Sequence, residues 1–199
     1  TIEHMLNKVN QEKVRYISFE DENTKGLSGA KNGNSNSKND TWSIYAYKKG
    51  VHYEDNDSDF ETTRGGSHGI GKIASNAASD LHLMYFANCD EFGDKHIGGT
   101  VQLIEHEYNG QCYRNTGYFT DSKQENGIEK YYPFPNKYNS IFKKDTRGLK
   151  IIIPYLKKEF YNEEAIIRSV CDNFFVSILD KRLEVDINGK PIRADNISS

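Results

Sequence analysis

The chain has 199 residues, of which 36% are hydrophobic and 28% are charged, so it is long enough for one full-sized domain with a hydrophobic core. Its formal net charge of -3 excludes the basic footprint that dominates nucleic-acid affinity, and no direct nucleic-acid partner is expected for this segment. Its apolar runs are strand-sized, far short of the roughly 20 residues that a membrane span needs, and the sequence predicts a soluble protein with no membrane partner.

The first predicted elements are a short helix and a strand. Residues 2–9 place their apolar side chains at helical spacing, and residues 13–19 alternate as a strand does. A turn-rich segment over residues 20–29 follows, and it places Asp21 just past the end of that strand. Residues 31–40 are almost entirely Asn, Ser, Lys and Gly, and they predict a mobile surface excursion that buries no apolar area.

The middle of the chain predicts a helix followed by strands. Residues 42–48 favour a helix or an irregular packed segment, and residues 52–60 form an acidic, polar stretch. Small and apolar residues at helical spacing predict a helix over residues 72–82. Three strand predictions follow, over residues 81–87, 100–108 and 111–120. Asn109-Gly110 stands between the last two and is a strong hairpin signal.

The last third of the chain predicts one loop, one strand, one helix and one hairpin. Residues 121–146 are polar and predict a long loop. The β-branched residues 148–155 predict a strand, and residues 163–179 predict an amphipathic helix. Residues 183–199, with Asn188-Gly189 at their centre, predict a closing hairpin or the start of a following region.

The cysteines indicate the compartment. They are widely spaced and odd in number, at Cys89, Cys112 and Cys171. This pattern argues against a disulfide framework and against a zinc site with CxxC spacing. No signal peptide is visible at the start of the sequence. A reducing, cytoplasmic compartment is therefore predicted.

A glycine-rich segment directly before the helix predicted over residues 72–82 is the most informative stretch. We call it the glycine box, and it reads Gly65, Gly66, Ser67, His68, Gly69, Ile70, Gly71 and Lys72. Its glycines let backbone N–H groups converge, and the helix N-terminus and Lys72 add positive charge. His68 is expected to shape the loop, because no carboxylate is apparent beside it to orient it for catalysis. The segment predicts an anion-binding loop, and a flexible surface loop capped by a helix is the alternative.

A P-loop is the second nucleotide-binding alternative for the glycine box. Gly66 and Gly71-Lys72 have the P-loop spacing. Ile73, however, stands where that loop needs Ser or Thr to hold magnesium, and residues 61–64 do not form a buried strand. Both context checks therefore disfavour a P-loop.

The order of these features resembles the GHKL ATPases: an acidic residue ending a strand, a glycine turn, a polar excursion and a glycine box opening a helix. That superfamily comprises the ninety-kilodalton heat-shock chaperones, MutL and MORC proteins, type II topoisomerases and histidine kinases. Residues 66–71 resemble the lid glycine box of the chaperone branch, and residues 147–153 resemble its RGTKI-type strand. The resemblance covers most of the chain and lies closest to the chaperone, MutL and MORC side. A poorly characterised bacterial group of GHKL proteins has a similar glycine box.

The resemblance implies a fold and a set of ligands. The fold is the Bergerat ATP-binding fold, an α/β sandwich of a mixed, mostly antiparallel sheet with helices on one face. A single domain over residues 1–199 would adopt it, and the ligands would be ATP and Mg²⁺. A histidine-kinase role fits less well, since no phosphoacceptor helix is visible.

The resemblance also implies a role for individual residues. Asp21 would accept the exocyclic amine of adenine, since an ionised carboxylate is an acceptor only. Gly26 and Gly29 would let the backbone pass close to the base, and the glycine box would hold the phosphates. Asn23 stands where the family has glycine, and Asn tolerates the left-handed conformation that the turn needs. Gly148 completes the predicted binding set.

Two departures from the family pattern bear on activity. Leu149 replaces a customary threonine whose hydroxyl would help to hold Asp21 and the base. The family's first motif is a helix with a Glu that activates water and an Asn that holds magnesium. Glu3 and Asn7 have its E-x-x-x-N spacing, but little room remains between Asn7 and Asp21, so the general base is expected upstream of this chain.

The function that follows is a nucleotide-driven switch. The resemblance implies an ATP-binding, Mg²⁺-dependent ATP-hydrolysing module of a larger protein. Its partners would be the other domains of that protein, with a nucleotide-dependent homodimer as a further arrangement. The alternative is an interaction module that kept the fold but lost catalysis.

Overall fold

The computed structural model describes residues 7, 13–35, 37, 39–48 and 70–197. The chain divides into two compact units, Thr1–Leu156 and Lys157–Ser199. Within the described residues, helices and antiparallel strands both occur, which confirms a mixed α and β class. No helix in this part of the chain is long and apolar enough to cross a membrane.

Antiparallel strands are more extensive than helices among the described residues of the first unit. The strands of the chain are β1 (Tyr16–Glu20), β2 (Leu83–Cys89), β3 (Lys95–Gln102), β4 (His106–Tyr108), β5 (Gln111–Tyr113), β6 (Thr116–Phe119), β7 (Asp121–Glu125), β8 (Ile128–Tyr132), β9 (Phe134–Pro135), β10 (Gly148–Pro154), β11 (Val185–Ile187) and β12 (Lys190–Ile192). Six of them form one sheet in the order β1-β10-β2-β3-β6, with β9 also paired to β3. Every described pairing is antiparallel, as the sequence predicts for most of the sheet.

Three α-helices lie wholly within the described residues, and the isolated described residue Asn7 is also helical. They are α1 (Thr41–Tyr47), α2 (Ile70–Ala77) and α3 (Glu163–Leu179). Asp40 caps α1, and its carboxylate accepts from the backbone N–H of Ser43 at 2.9 Å. Asn162 caps α3 in the same way, by accepting from Ala165 at 3.2 Å. A side-chain acceptor at this position satisfies one of the backbone N–H groups that a helix start leaves unpaired.

The core of the first unit lies between one face of the sheet and the helices α1 and α2. Side chains alternate along a strand, and the strand register places Ile153, Phe86 and Thr100 on the same face. Trp42 of α1 packs against Phe86 with 5.2 Å between ring centroids. Asn76 of α2 accepts a hydrogen bond from the Thr100 hydroxyl at 3.2 Å. Both helices therefore cover this one face.

The opposite face of the sheet is covered by part of residues 121–146, which the sequence predicts to be a long loop. That prediction is wrong, because the segment contains the hairpin β7–β8 and the short strand β9. Phe142 packs edge-on against Tyr85 of β2, with 5.4 Å between ring centroids. The hairpin turns at Asn126-Gly127, whose φ angles of 53° and 77° match the left-handed pair that the sequence identified at Asn109-Gly110.

The strands on either side of Asn109-Gly110 are shorter and more numerous than predicted. The hairpin is confirmed as β4–β5. Residues 100–108 do not form one strand, because β3 ends at Gln102 and β4 begins at His106. Residues 111–120 likewise form two strands, β5 and β6. Alternating polarity extends across the breaks, so sequence pattern alone does not locate them.

Residues 31–40 are more than a surface excursion, because Asp40 is fully buried at 0% exposure. Its carboxylate accepts from the hydroxyl groups of Ser43 at 2.8 Å and Ser35 at 2.7 Å. A buried carboxylate is tolerated where hydrogen bonds replace its hydration. Although its composition is polar, this segment therefore ends in a buried, hydrogen-bonded carboxylate at the start of α1.

The second unit contains α3 and the hairpin β11–β12. The helix has the bounds that the sequence predicts. The hairpin turns at Asn188-Gly189, with φ angles of 51° and 81°, and this confirms the predicted closing hairpin. Glu163 at the start of α3 accepts from the Asn188 side chain at 2.7 Å.

Candidate functional site

Asp21 lies directly after β1, where the pairing of β1 with β10 ends. Its backbone N–H donates to the carbonyl of Leu149 at 3.0 Å. Its carboxylate oxygen Oδ1 accepts from the backbone N–H of Leu149 at 2.6 Å and from the Thr24 hydroxyl at 3.0 Å. The described part of the chain gives Oδ2 no hydrogen bond or ion pair. The carboxylate is thus held through one oxygen, and the other is left as an acceptor.

Gly148 lies against this carboxylate. Its φ of 140° is one that side-chain-bearing residues rarely adopt, and an added Cβ would lie 2.2 Å from Oδ1 of Asp21 and 2.6 Å from its carbonyl oxygen. Any other residue at this position would displace Asp21. The structure therefore brings together two residues that the sequence predicts for one site.

The turn after Asp21 contains one predicted residue and one that sequence reasoning missed. Asn23 has a φ of 59°, the left-handed conformation expected of it. Thr24 donates a hydrogen bond from its hydroxyl to Asp21. Leu149, which stands where the GHKL pattern has threonine, has no hydroxyl to donate. The signal for Thr24 is its position three residues after an aspartate in a turn, where short polar side chains commonly hydrogen-bond to one another and to the backbone.

Gly26 fixes the other end of this turn to β2. Its φ is 66°, and an added Cβ would lie 2.4 Å from the carbonyl oxygen of Cys89. Asn88 is fully buried and binds both backbone groups of Leu27, accepting from its N–H at 2.7 Å and donating to its carbonyl at 2.9 Å. Sequence reasoning missed Asn88, whose signal is an amide within the otherwise largely apolar strand β2.

Gly29 is also required by an intramolecular contact. Its φ is 80°, and an added Cβ would lie 2.6 Å from Oδ1 of Asp40. The neighbouring Ser28 donates from its backbone N–H to the Thr41 hydroxyl at 2.8 Å. The turn is thus attached to the start of α1. The predicted role of Gly26 and Gly29 beside a base stays a prediction.

Only the end of the glycine box belongs to the described residues. Outside them lie Gly65, Gly66, Ser67, His68 and Gly69, together with Glu3 and the acidic stretch 52–60. Asn7 is described and is exposed. Ile70, Gly71 and Lys72 form the first turn of α2, which confirms that a helix begins at the end of the box. The predicted extension of this helix to residue 82 is wrong, because α2 ends at Ala77. Their predicted role in phosphate binding stays a prediction.

Lys72 contacts the C-terminal end of α1. Its ammonium donates to the carbonyl oxygens of Tyr45 at 2.8 Å and Ala46 at 3.4 Å. A cation in this position is favoured by the partial negative charge of a helix C-terminus. Since α1 has seven residues, the Asp21 turn and Lys72 contact opposite ends of a helix about 10 Å long, at 1.5 Å per residue.

A partly exposed apolar surface lies on the same sheet face as Asp21. Phe19 precedes Asp21 by two residues and is 51% exposed. It pairs with Ile151, which is half-buried, as is Leu149. Because side chains two residues apart share a face, these apolar groups lie beside the Asp21 carboxylate. An acceptor next to apolar side chains is the usual composition of a small-molecule site.

The neighbouring carboxylate, Glu20, is held by two lysines. The ammonium of Lys144 lies 3.2 Å from one of its oxygens and that of Lys150 lies 3.1 Å from the other. The Lys144 side chain has no exposed surface, so this pairing compensates a buried charge. Within the described residues, no group of three or more His, Cys, Asp or Glu side chains is arranged to hold a metal ion.

A cavity of about 150 Å³ lined by several lysines lies elsewhere in the first unit. Its lining residues are Lys95, Asn136, Lys137, Tyr138, Asn139, Lys143, Lys144 and Asp145. The carboxylate of Asp145 accepts from Lys95 at 2.5 Å and contacts Lys143 at 2.6 Å. Two of the lysines are therefore already neutralised, and Asp21 does not line this cavity.

Comparison with known proteins adds no relative: no family model, curated protein or solved structure matches the chain. The candidate site is therefore defined by its own residues. These are the oriented Asp21 carboxylate, the close approach of Gly148, the Asn88 contacts that hold the turn and the apolar side chains beside them.

Proposed function

We propose that this chain is an ATP-binding domain of the GHKL type, with a Bergerat fold, in which Asp21 accepts a hydrogen bond from the exocyclic amine of adenine. The observation that supports it best is the orientation of the carboxylate, with Oδ1 bound twice and Oδ2 without a partner among the described residues. An ionised carboxylate can only accept. The ligand atom that meets Oδ2 must therefore be a donor.

The surroundings of Asp21 support a flat, partly apolar ligand. Phe19, Leu149 and Ile151 would contact the faces of the base, while the carboxylate reads its edge. Sites of this kind bind mainly through apolar contact and obtain specificity from a few fixed polar groups. An adenine base meets both requirements.

The remaining parts of the proposal concern the phosphates and the partner. The glycine box would hold the phosphates, accompanied by Mg²⁺, and Lys72 would join it by exchanging its contacts with the Tyr45 and Ala46 carbonyl oxygens for a phosphate oxygen. The nucleotide would act as a switch within a larger protein, by changing contacts with other domains or with a second copy of the chain. These parts rest on the resemblance to the GHKL ATPases, which is carried by the glycine box and by its position after Asp21 in the sequence.

Isothermal titration of the full-length protein with a non-hydrolysable ATP analogue and Mg²⁺ tests the proposal. In Asp21→Asn, the amide oxygen should replace Oδ1, because Leu149 and Thr24 both present donors there. Its NH₂ group would then oppose the amine of adenine. Losing a charged hydrogen bond and creating a donor–donor contact should weaken binding at least about 100-fold.

Glu22→Gln is the matched control for this experiment. Glu22 is exposed in the same turn, and its substitution changes the charge by the same amount without altering the Asp21 contacts. We expect its affinity to stay within about twofold of the original protein, since exposed charge pairs contribute little. Absence of binding by the unmodified full-length protein would contradict the proposal.

Binding without hydrolysis is the second candidate. It is favoured by Asn23 and Leu149, which depart from the family pattern in the turn and in the strand that hold Asp21. A phosphate-release assay on the full-length protein distinguishes the two candidates. Steady release that Asp21→Asn abolishes supports an ATPase, whereas binding without release supports an interaction module.

A further inference from the structure

The donor and acceptor of the hydrogen bond between Thr24 and Asp21 can be assigned. Because the Asp21 carboxylate only accepts, the Thr24 hydroxyl must be the donor in their 3.0 Å hydrogen bond. The proton of that hydroxyl is then donated to Asp21 and cannot be donated to another group. The Thr24 oxygen can offer only its lone pairs to any third group.

The backbone around Thr24 favours this contact. Asn23 has a left-handed φ of 59° and reverses the chain between Asp21 and Thr24. On the far side, Gly26 lies close to the Cys89 carbonyl, and Asn88 of β2 binds both backbone groups of Leu27. The branched Thr24 side chain also has few χ1 rotamers. The hydroxyl is therefore directed at Asp21 by a turn that is anchored at both ends.

Two donors from different directions restrict the carboxylate. The Leu149 N–H approaches Oδ1 from β10 at 2.6 Å, and the Thr24 hydroxyl approaches it from the turn at 3.0 Å. Asp21 itself is exposed, so burial does not hold its rotamer. With the hydroxyl removed, a single backbone N–H remains, and rotation about χ1 is less restricted.

We propose that Thr24 is a positioning residue that fixes the Asp21 carboxylate so that Oδ2 faces a ligand amine. This inference rests on the proposed function of Asp21 in reading an adenine. Once Oδ1 is held by Thr24 and Leu149, the fixed Oδ2 accepts from an amino group and repels a keto oxygen in the same place. Selection of an amino purine over a keto purine therefore depends on the orientation that Thr24 maintains.

The test compares Thr24→Val, which keeps the shape and removes the hydroxyl, with Thr24→Ser, which keeps the hydroxyl. The first measurement uses the full-length protein without nucleotide. The Hα–Hβ scalar couplings of Asp21 in NMR spectra report its χ1 populations. We expect one dominant rotamer in the unmodified protein and in Thr24→Ser, and averaged couplings in Thr24→Val.

The second measurement is the affinity for ATP and for inosine triphosphate, in which a keto oxygen replaces the amine. In Thr24→Val, ATP affinity should fall about tenfold, the order expected for one hydrogen bond to a charged group. The affinity for inosine triphosphate should stay unchanged or rise. A purely structural effect would instead weaken both ligands equally. Glu22→Gln serves as the control in the same turn.

The outcomes separate this inference from the proposed function. Unchanged couplings and an unchanged ATP preference in Thr24→Val would overturn the role of Thr24 while leaving the proposed function in place. Failure of the unmodified protein to prefer ATP would overturn both. Averaged couplings together with a reduced preference, both restored in Thr24→Ser, would establish the role.

Discussion

Substitution of Gly148 by Ala tests the contact that places Asp21. The φ of 140° costs a side-chain-bearing residue about 1–3 kcal/mol. The new Cβ would also lie 2.2 Å from the Asp21 carboxylate and 2.6 Å from its carbonyl oxygen. The carboxylate can rotate away, but it then loses hydrogen bonds to Leu149 and Thr24 worth about 1 kcal/mol each. The carbonyl can move only with the strand.

Together these effects should lower the free energy of unfolding by about 3–5 kcal/mol. Urea denaturation followed by the fluorescence of Trp42 measures this directly. Trp42 is the single tryptophan and is buried in the core of the same unit. Gly148→Ala should also lose binding of the ATP analogue, because the displaced carboxylate no longer presents Oδ2.

Gly93→Ala is the matched control. Gly93 also has a positive φ, 81°, but no atom lies within 4 Å of an added Cβ. Its substitution should cost only the conformational penalty of about 1–2 kcal/mol. Equal destabilisation by the two substitutions would refute the close approach of Gly148 to Asp21.

The remaining predictions concern two buried polar side chains. Asn88→Ala should lower the free energy of unfolding by about 2–3 kcal/mol, because both backbone groups of Leu27 lose their partner. Urea denaturation measures this loss, with the exposed-site substitution Asn32→Ala as the control. Equal stability of the two variants would contradict the prediction. His96 has a pKa below its ordinary value of 6.5, chiefly because burial disfavours the imidazolium and despite the nearby carboxylates of Asp90 and Asp94. The unfolded chain therefore takes up this proton first, so the contribution of His96 to stability is complete above about pH 6.5 and is lost as the pH falls through the lowered pKa. Stability curves from pH 7.5 to 5 should be flatter for His96→Phe than for the original protein, and identical slopes would contradict the assignment.

Local elements follow from sequence because their causes are local. The strand that ends before Asp21, the helix at the end of the glycine box and the hairpin at Asn109-Gly110 are all predicted and confirmed. Each depends on side-chain periodicity or on the φ preference of a few adjacent residues. The hairpin at Asn126-Gly127 carries the same signal, and only the polar composition of its surroundings concealed it.

The site depends on contacts between distant residues. The sequence by itself determined that Asp21 ends a strand and that Asn23 can occupy a left-handed turn, since these properties reside in neighbouring residues. Only the tertiary structure decided that Leu149, 128 residues away, donates to the carboxylate, and that Asn88, 61 residues away, holds Leu27. Such pairings depend on strand register, which is set when the whole sheet buries one face. Asp21 therefore supplies the carboxylate, and folding determines that Oδ1 is bound by Leu149 and Thr24 while Oδ2 has no partner among the described residues.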